Sequence, residues 1–92
     1  MLTFDEKKHY LLNALFRSNR LTSSEKIVAL AMAFKINPDG SSNLTLREIG
    51  ELSSLTKVTV KVCIGRLEEK IGLDVLRTPK KNYYRFTQWS GI

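Results

Sequence analysis

Apolar positions recur at helical spacing over most of this chain and switch to strand spacing near its end. Phe4, Leu11, Leu12, Leu15 and Phe16 fall on one side of a run that predicts helix 1 over Phe4 to Arg17. Helix 2 is predicted from Ser23 to Ile36. Its stripe of Ile27, Leu30, Ala31 and Phe34, widened by Val28, suits a helix at the centre of the domain. Helix 3, Leu46 to Ser53, points Leu46, Ile49 and Leu52 inward. Helix 4 starts at Thr56 or Lys57 and ends near Lys70, with Val60, Ile64, Leu67 and Ile71 inward. From Leu73 to Thr78 and from Tyr83 to Gln88 the period becomes two. That predicts paired strands with Val75, Tyr84 and Phe86 facing the core.

The residues between these runs support the same division. Thr3-Phe-Asp-Glu6, Thr22-Ser-Ser-Glu25 and Thr45-Leu-Arg-Glu48 each have the form of a capping box. Pro38 to Ser42 has turn composition, and Asn43 to Thr45 is expected to form a brief strand. Ser53-Ser54-Leu55 makes the turn between helices 3 and 4, and Gly72 is placed to end helix 4 in a left-handed conformation. Trp89 is expected to cover the core against helix 1 or 2, with Ser90-Gly91-Ile92 loose. The fold expected is mainly α with a C-terminal β-hairpin. Its order resembles a winged helix-turn-helix: one domain over 1–92, helix-turn-helix 45–71, wing 73–88.

Charge sharpens this picture. The chain of 92 residues carries a formal +6. Residues 1–43 hold six Lys/Arg against four Asp/Glu, and residues 44–92 hold nine against five, so the helix-turn-helix half carries +4 of the excess. A phosphate backbone favours that arrangement. Other chemistry is weakly represented. His9, the only histidine, lies among Lys8 and Tyr10 with no nucleophile at a recognisable spacing. Cys63 cannot form an internal disulfide and reads as a small packed apolar residue. Asp5 and Glu6 suit a helix N-terminus, and Asp39-Gly40 lacks the further ligands of a metal loop. No enzyme and no cofactor is expected. No apolar run is long enough to span a membrane, so a cytoplasmic protein of a bacterium or its phage is the expectation.

With Val60, Ile64 and Leu67 inward, the opposite side of helix 4 shows Lys57, Val58, Thr59, Lys61 and Val62. Lysine can donate to guanine, threonine can hydrogen-bond a base edge, and valine can pack on a thymine methyl. No Asn, Gln or Arg stands in the first turn, so phosphate contacts or modest discrimination are expected from it. Arg47 at the start of helix 3 is a further phosphate candidate. The hairpin turn supplies Lys80, Lys81 and Asn82, flanked by Arg77 and Arg85, for the backbone or the adjacent minor groove.

Leu21 to Leu30, Leu46-Arg-Glu-Ile-Gly-Glu-Leu52, Thr59-Val60 and Arg66-Leu-Glu-Glu-Lys-Ile-Gly-Leu73 together resemble the winged helix-turn-helix of phage and plasmid replication initiators. Related domains occur in bacterial transcription regulators. The resemblance covers about Leu21 to Phe86 and implies double-stranded DNA as partner, in replication or transcription control. Two local features depart from it. Ser54-Leu55 stands where such domains commonly carry a glycine in the turn, and Ile71 intervenes between Lys70 and Gly72. Initiators usually carry a further domain, so the chain is expected to be an isolated domain or a small phage regulator acting alone. Helix 1 is the candidate homodimer element, through Leu11, Leu12, Leu15 and Phe16. The competing reading is a phage-type protein-interaction module or inhibitor on the same scaffold, motivated by the exposed Val58 and Val62.

Overall fold

Threonine and glutamate cap each other at the start of three helices. In each box the threonine hydroxyl accepts from the glutamate N–H, and the glutamate carboxylate accepts from the threonine N–H. A computed structural model describes all residues, 1–92. These boxes open α1 (Phe4–Arg17), α2 (Ser23–Phe34) and α3 (Leu46–Ser53). Thr56 caps α4 (Lys57–Ile71) by accepting from the Thr59 N–H at 3.2 Å. Three short strands, β1 (Ser41–Ser42), β2 (Asp74–Arg77) and β3 (Asn82–Arg85), and a 3₁₀ helix over Thr87–Gly91 complete the chain. The protein is therefore mainly helical with a small antiparallel sheet of order β1-β3-β2. No helix is long and apolar enough to cross a membrane.

The expected hairpin is present as β2 and β3, paired Asp74↔Arg85, Val75↔Tyr84, Leu76↔Tyr83 and Arg77↔Asn82. It gains a third strand on the far side of β3, where Ser41 pairs with Arg85 and Ser42 with Tyr84. That strand precedes the expected Asn43–Thr45, because Leu44 is buried in the core and Thr45 is the cap of α3. Ser42 and Tyr84 are buried and Val75 half-buried, so that face of the sheet closes on the helices.

α2 lies against α1, α3 and α4, the central position its composition suggested. Its orientation differs from expectation. Val28, Ala29, Met32 and Ala33 are buried, whereas Ile27 and Phe34 are exposed and Leu30 and Ala31 half-buried. Alanine at 29 and 33 lets neighbouring helices approach closely, and the bulky Phe34 is left outside beneath the Lys8 and Lys35 ammonium groups. α2 also stops before Ile36, which is buried and bridges to Ser42. Pro38 disfavours helical backbone at Asn37, so the chain turns there.

α1 directs Leu11 and Leu15 into the core, with Leu12 half-buried and Phe16 exposed. α3 is rolled so that Ile49, Gly50 and Ser53 are buried, leaving Leu52 outside and Leu46 half-buried. The Ser53 hydroxyl is satisfied by donating to the Ile49 carbonyl at 2.7 Å. α4 buries Val60, Cys63, Ile64 and Leu67 and ends at Gly72 in the left-handed region, φ 68°. Burial pushes the Cys63 thiol pKa up, as expected of a packed cysteine.

The chain end is ordered rather than loose. Trp89 is buried, its indole N–H donates to the Pro38 carbonyl at 2.9 Å, and its ring meets Phe4 of α1 edge-on at 5.8 Å. The 3₁₀ helix includes Ser90 and Gly91, and the Ile92 N–H donates to the Trp89 carbonyl. Gly40, at φ 87°, lies so close beneath the indole that a Cβ there would be 2.7 Å from it. Thus Trp89 ties the turn before β1 to the start of α1.

Candidate nucleic-acid interface

The α3–α4 turn is tight because Ser54 takes a left-handed conformation, φ 59° and ψ 35°, with its N–H donated to the Gly50 carbonyl. This is the position where the turn favours glycine, and serine occupies it at a conformational cost. The turn sets α4 across the end of α3 and brings the first turns of both helices towards the hairpin. At the hairpin, Thr78 organises the bend. Its hydroxyl accepts from the Lys81 N–H and donates to the Lys81 carbonyl, while its own N–H also meets that carbonyl. Pro79 and Lys80 form the exposed tip. The bend is thus Thr78 to Lys81, one residue earlier than expected. Asn82 instead opens β3, half-buried, with its amide donating to the Tyr84 hydroxyl at 3.2 Å.

A groove of about 310 Å³ runs between the two helix starts and the hairpin. Arg47, Lys57, Lys80 and Lys81 line it over a floor that includes Leu46 and Tyr84. A recess alongside adds Lys61 and Arg77 and shares Leu46 and Asn82 with the groove. Five cations from three separate elements, Arg47, Lys57, Lys61, Lys80 and Lys81, therefore line the groove and the recess beside it. All five are exposed. Arg47 pairs with Glu51 at 3.1 Å, but the two side chains are 86% and 65% exposed. Such a pair is weak and leaves the guanidinium able to change partner. The Lys81 ammonium lies 5.0 Å from the Tyr83 ring centroid.

The remaining expected contacts are placed otherwise. Arg77 is held by both oxygens of Glu68 on α4, and that hydrogen bond holds the Glu68 carboxyl below its ordinary pKa and raises that of Arg77. Its charge is already matched within the fold. Arg85 projects from the opposite face of the sheet, beside its cross-strand neighbours Asp74 and Ser41. Thr59 is half-buried, and its hydroxyl accepts from that of Thr56 at 2.9 Å. Val58 and Val62 are exposed as expected. Gly65 was not singled out in the sequence, although it continues their line at spacings of four and three. Arg66, also exposed, flanks that line on the side away from the hairpin by helical spacing.

No group of three or more His, Cys, Asp or Glu side chains is arranged to hold a metal ion. The arrangement offers cations, backbone amides at helix starts and a shallow apolar ridge, which together suit an extended anionic ligand. No family model, curated protein or solved structure matches the chain.

Proposed function

We infer that the protein is a winged helix-turn-helix that binds double-stranded DNA without catalysis, in the control of phage or plasmid replication or of transcription. In this reading α4 enters the major groove, and the hairpin acts as the wing on the backbone or in the adjacent minor groove. The observation that carries it is the convergence of Arg47, Lys57, Lys61, Lys80 and Lys81 around the groove between the helix pair and the hairpin. The order α3, turn, α4, β2, β3 and the basic C-terminal half support the same reading. A cytoplasmic location follows from this reading.

Titration of duplex DNA by fluorescence anisotropy over a range of salt tests it. Affinity should fall steeply with salt, because each neutralised phosphate releases counterion. Lys80→Ala/Lys81→Ala should weaken binding on every sequence and lower the log–log salt slope by about two. Absence of binding at low salt by a folded protein would refute the proposal. A protein partner is the second reading, favoured by the exposed Val58 and Val62. It predicts a stoichiometric complex that survives nuclease and moderate salt.

Of the four helix 1 residues that motivated a homodimer, only Phe16 stays exposed. Leu11 and Leu15 are buried within the chain's own core and Leu12 packs against it. Substitution there is expected to unfold the protein rather than dissociate a dimer.

A further inference from the structure

The outward ridge of α4 is apolar where a solvated helix would be polar. Val58 is 72% exposed and Val62 55% exposed. A Cβ added at Gly65 would have no neighbour within 4 Å. The three lie at spacings of four and three, along one line opposite the buried Val60, Ile64 and Leu67. Valine and glycine are also poor choices for an exposed helix interior, since alanine, lysine or glutamate would favour the helix more. The ridge is bordered on the hairpin side by Lys57 and Lys61, which line the basic groove and recess, and on the other flank by the exposed Arg66. A narrow apolar line between two cationic borders matches the section of a DNA major groove, with methyl groups on its floor and phosphates on its walls.

We propose that α4 reads thymine methyl groups in the major groove, through Val58 and Val62, with Gly65 allowing the backbone to come close. This rests on the DNA-binding reading and specifies what is recognised within it. The line from Val58 to Gly65 rises about 10 Å along the helix axis, enough to pass about three base-pair steps. It offers no side-chain hydrogen-bond donor or acceptor, so discrimination on this line comes from methyl burial alone. Glu69, one turn beyond Gly65 on the same line, is exposed, and its charge limits close approach of DNA at that end.

Uracil substitution isolates the effect, since it removes the C5 methyl and leaves phosphates and base-pairing edges unchanged. Binding is measured at one fixed salt concentration to an alternating A·T duplex and to the same duplex with uracil for thymine. Burial of one methyl group corresponds to roughly fourfold in affinity. Contact with two methyls therefore predicts about fifteenfold tighter binding of the thymine duplex. Val58→Ala/Val62→Ala, whose fold is checked by circular dichroism, should bring the two affinities within about twofold of each other. A G·C duplex carrying 5-methylcytosine should likewise bind more tightly than its unmethylated form. Equal affinity for thymine and uracil duplexes, with steep salt dependence retained, would overturn methyl reading and leave DNA binding standing. Failure to bind either duplex at low salt would overturn both, and the exposed valines would then belong to a protein contact.

Discussion

Lys70→Met removes the only cation in direct contact with a buried carboxylate. Glu25 is 4% exposed, and its Oε1 accepts from Lys70 Nζ at 2.7 Å and from the Thr22 N–H at 3.1 Å. The pair joins the capping box of α2 to the last turn of α4 across 45 residues of sequence. Breaking a fully buried pair from one side costs about 3–5 kcal/mol. The Lys70 side chain is 27% exposed, and Glu25 would keep its Thr22 bond. Both facts reduce the cost, to about 2 kcal/mol. For a chain of this size that lowers the melting temperature by about 8–16 °C. The sign of the pH dependence follows from Glu25. The Lys70 hydrogen bond holds its pKa below the ordinary carboxylate value, with Arg66 contributing less. The pair therefore stabilises the fold above the unfolded carboxylate pKa of about 4.3, and this contribution is lost as pH falls through the lowered folded value. Urea unfolding followed by circular dichroism should show the full difference between wild type and Lys70→Met at neutral pH and a shrinking one as the solution is acidified through the lowered Glu25 pKa. Glu25→Gln/Lys70→Met should cost less than Lys70→Met alone, since no charge is left stranded. A cost under about 0.5 kcal/mol at neutral pH, or one that is the same in acid, would refute the reasoning.

Two backbone predictions accompany it. Ser54→Gly should raise stability by about 0.5–1 kcal/mol, since the left-handed strain at φ 59° exceeds the added flexibility of the unfolded chain; an unchanged or lower urea midpoint would contradict this. Gly40→Ala should cost about 3 kcal/mol or prevent folding, because φ is 87° and the new Cβ would meet the Trp89 side chain at 2.7 Å; a thermal melt like that of wild type would contradict it.

Helix starts were legible because their chemistry is local. Each capping box needs only a threonine and a glutamate three residues apart, and all three form as read. α1 has the bounds its pattern predicts, and Gly72 ends α4 in the left-handed conformation expected of it. Which face of α2 is buried was not legible. Ile27 to Phe34 is an unbroken apolar run, so hydropathy periodicity cannot choose between faces, and close packing chose the one bearing Ala29 and Ala33. The position of β1 was hidden for another reason. Ser41 and Ser42 have turn composition, and they become a strand only because β3, more than forty residues away, presents an edge to them.

The interface divides along the same line between local and distant causes. That Lys57, Lys61, Lys80 and Lys81 are exposed cations follows from their residue type and their places on a helix surface and at a hairpin bend. Whether a given cation is free for an outside partner depends on which acid the fold brings beside it. Arg77 looked equivalent to the tip lysines in sequence, yet the approach of β2 to α4 delivers it to Glu68. Arg85 looked equivalent as well, but strand alternation places it on the outer face next to Asp74. Recognition of a phosphate chain requires only a sufficient number of free cations on one side, and it tolerates the loss of these two. In the proposed reading, recognition of base edges would rest on far fewer atoms, the side chains along one line of α4. There the absence of hydrogen-bonding groups constrains the target more than any added charge could. Under the proposed DNA-binding reading, such an interface would bind many duplexes through their backbones, and along the α4 ridge it would rank them by the methyl groups that Val58 and Val62 meet.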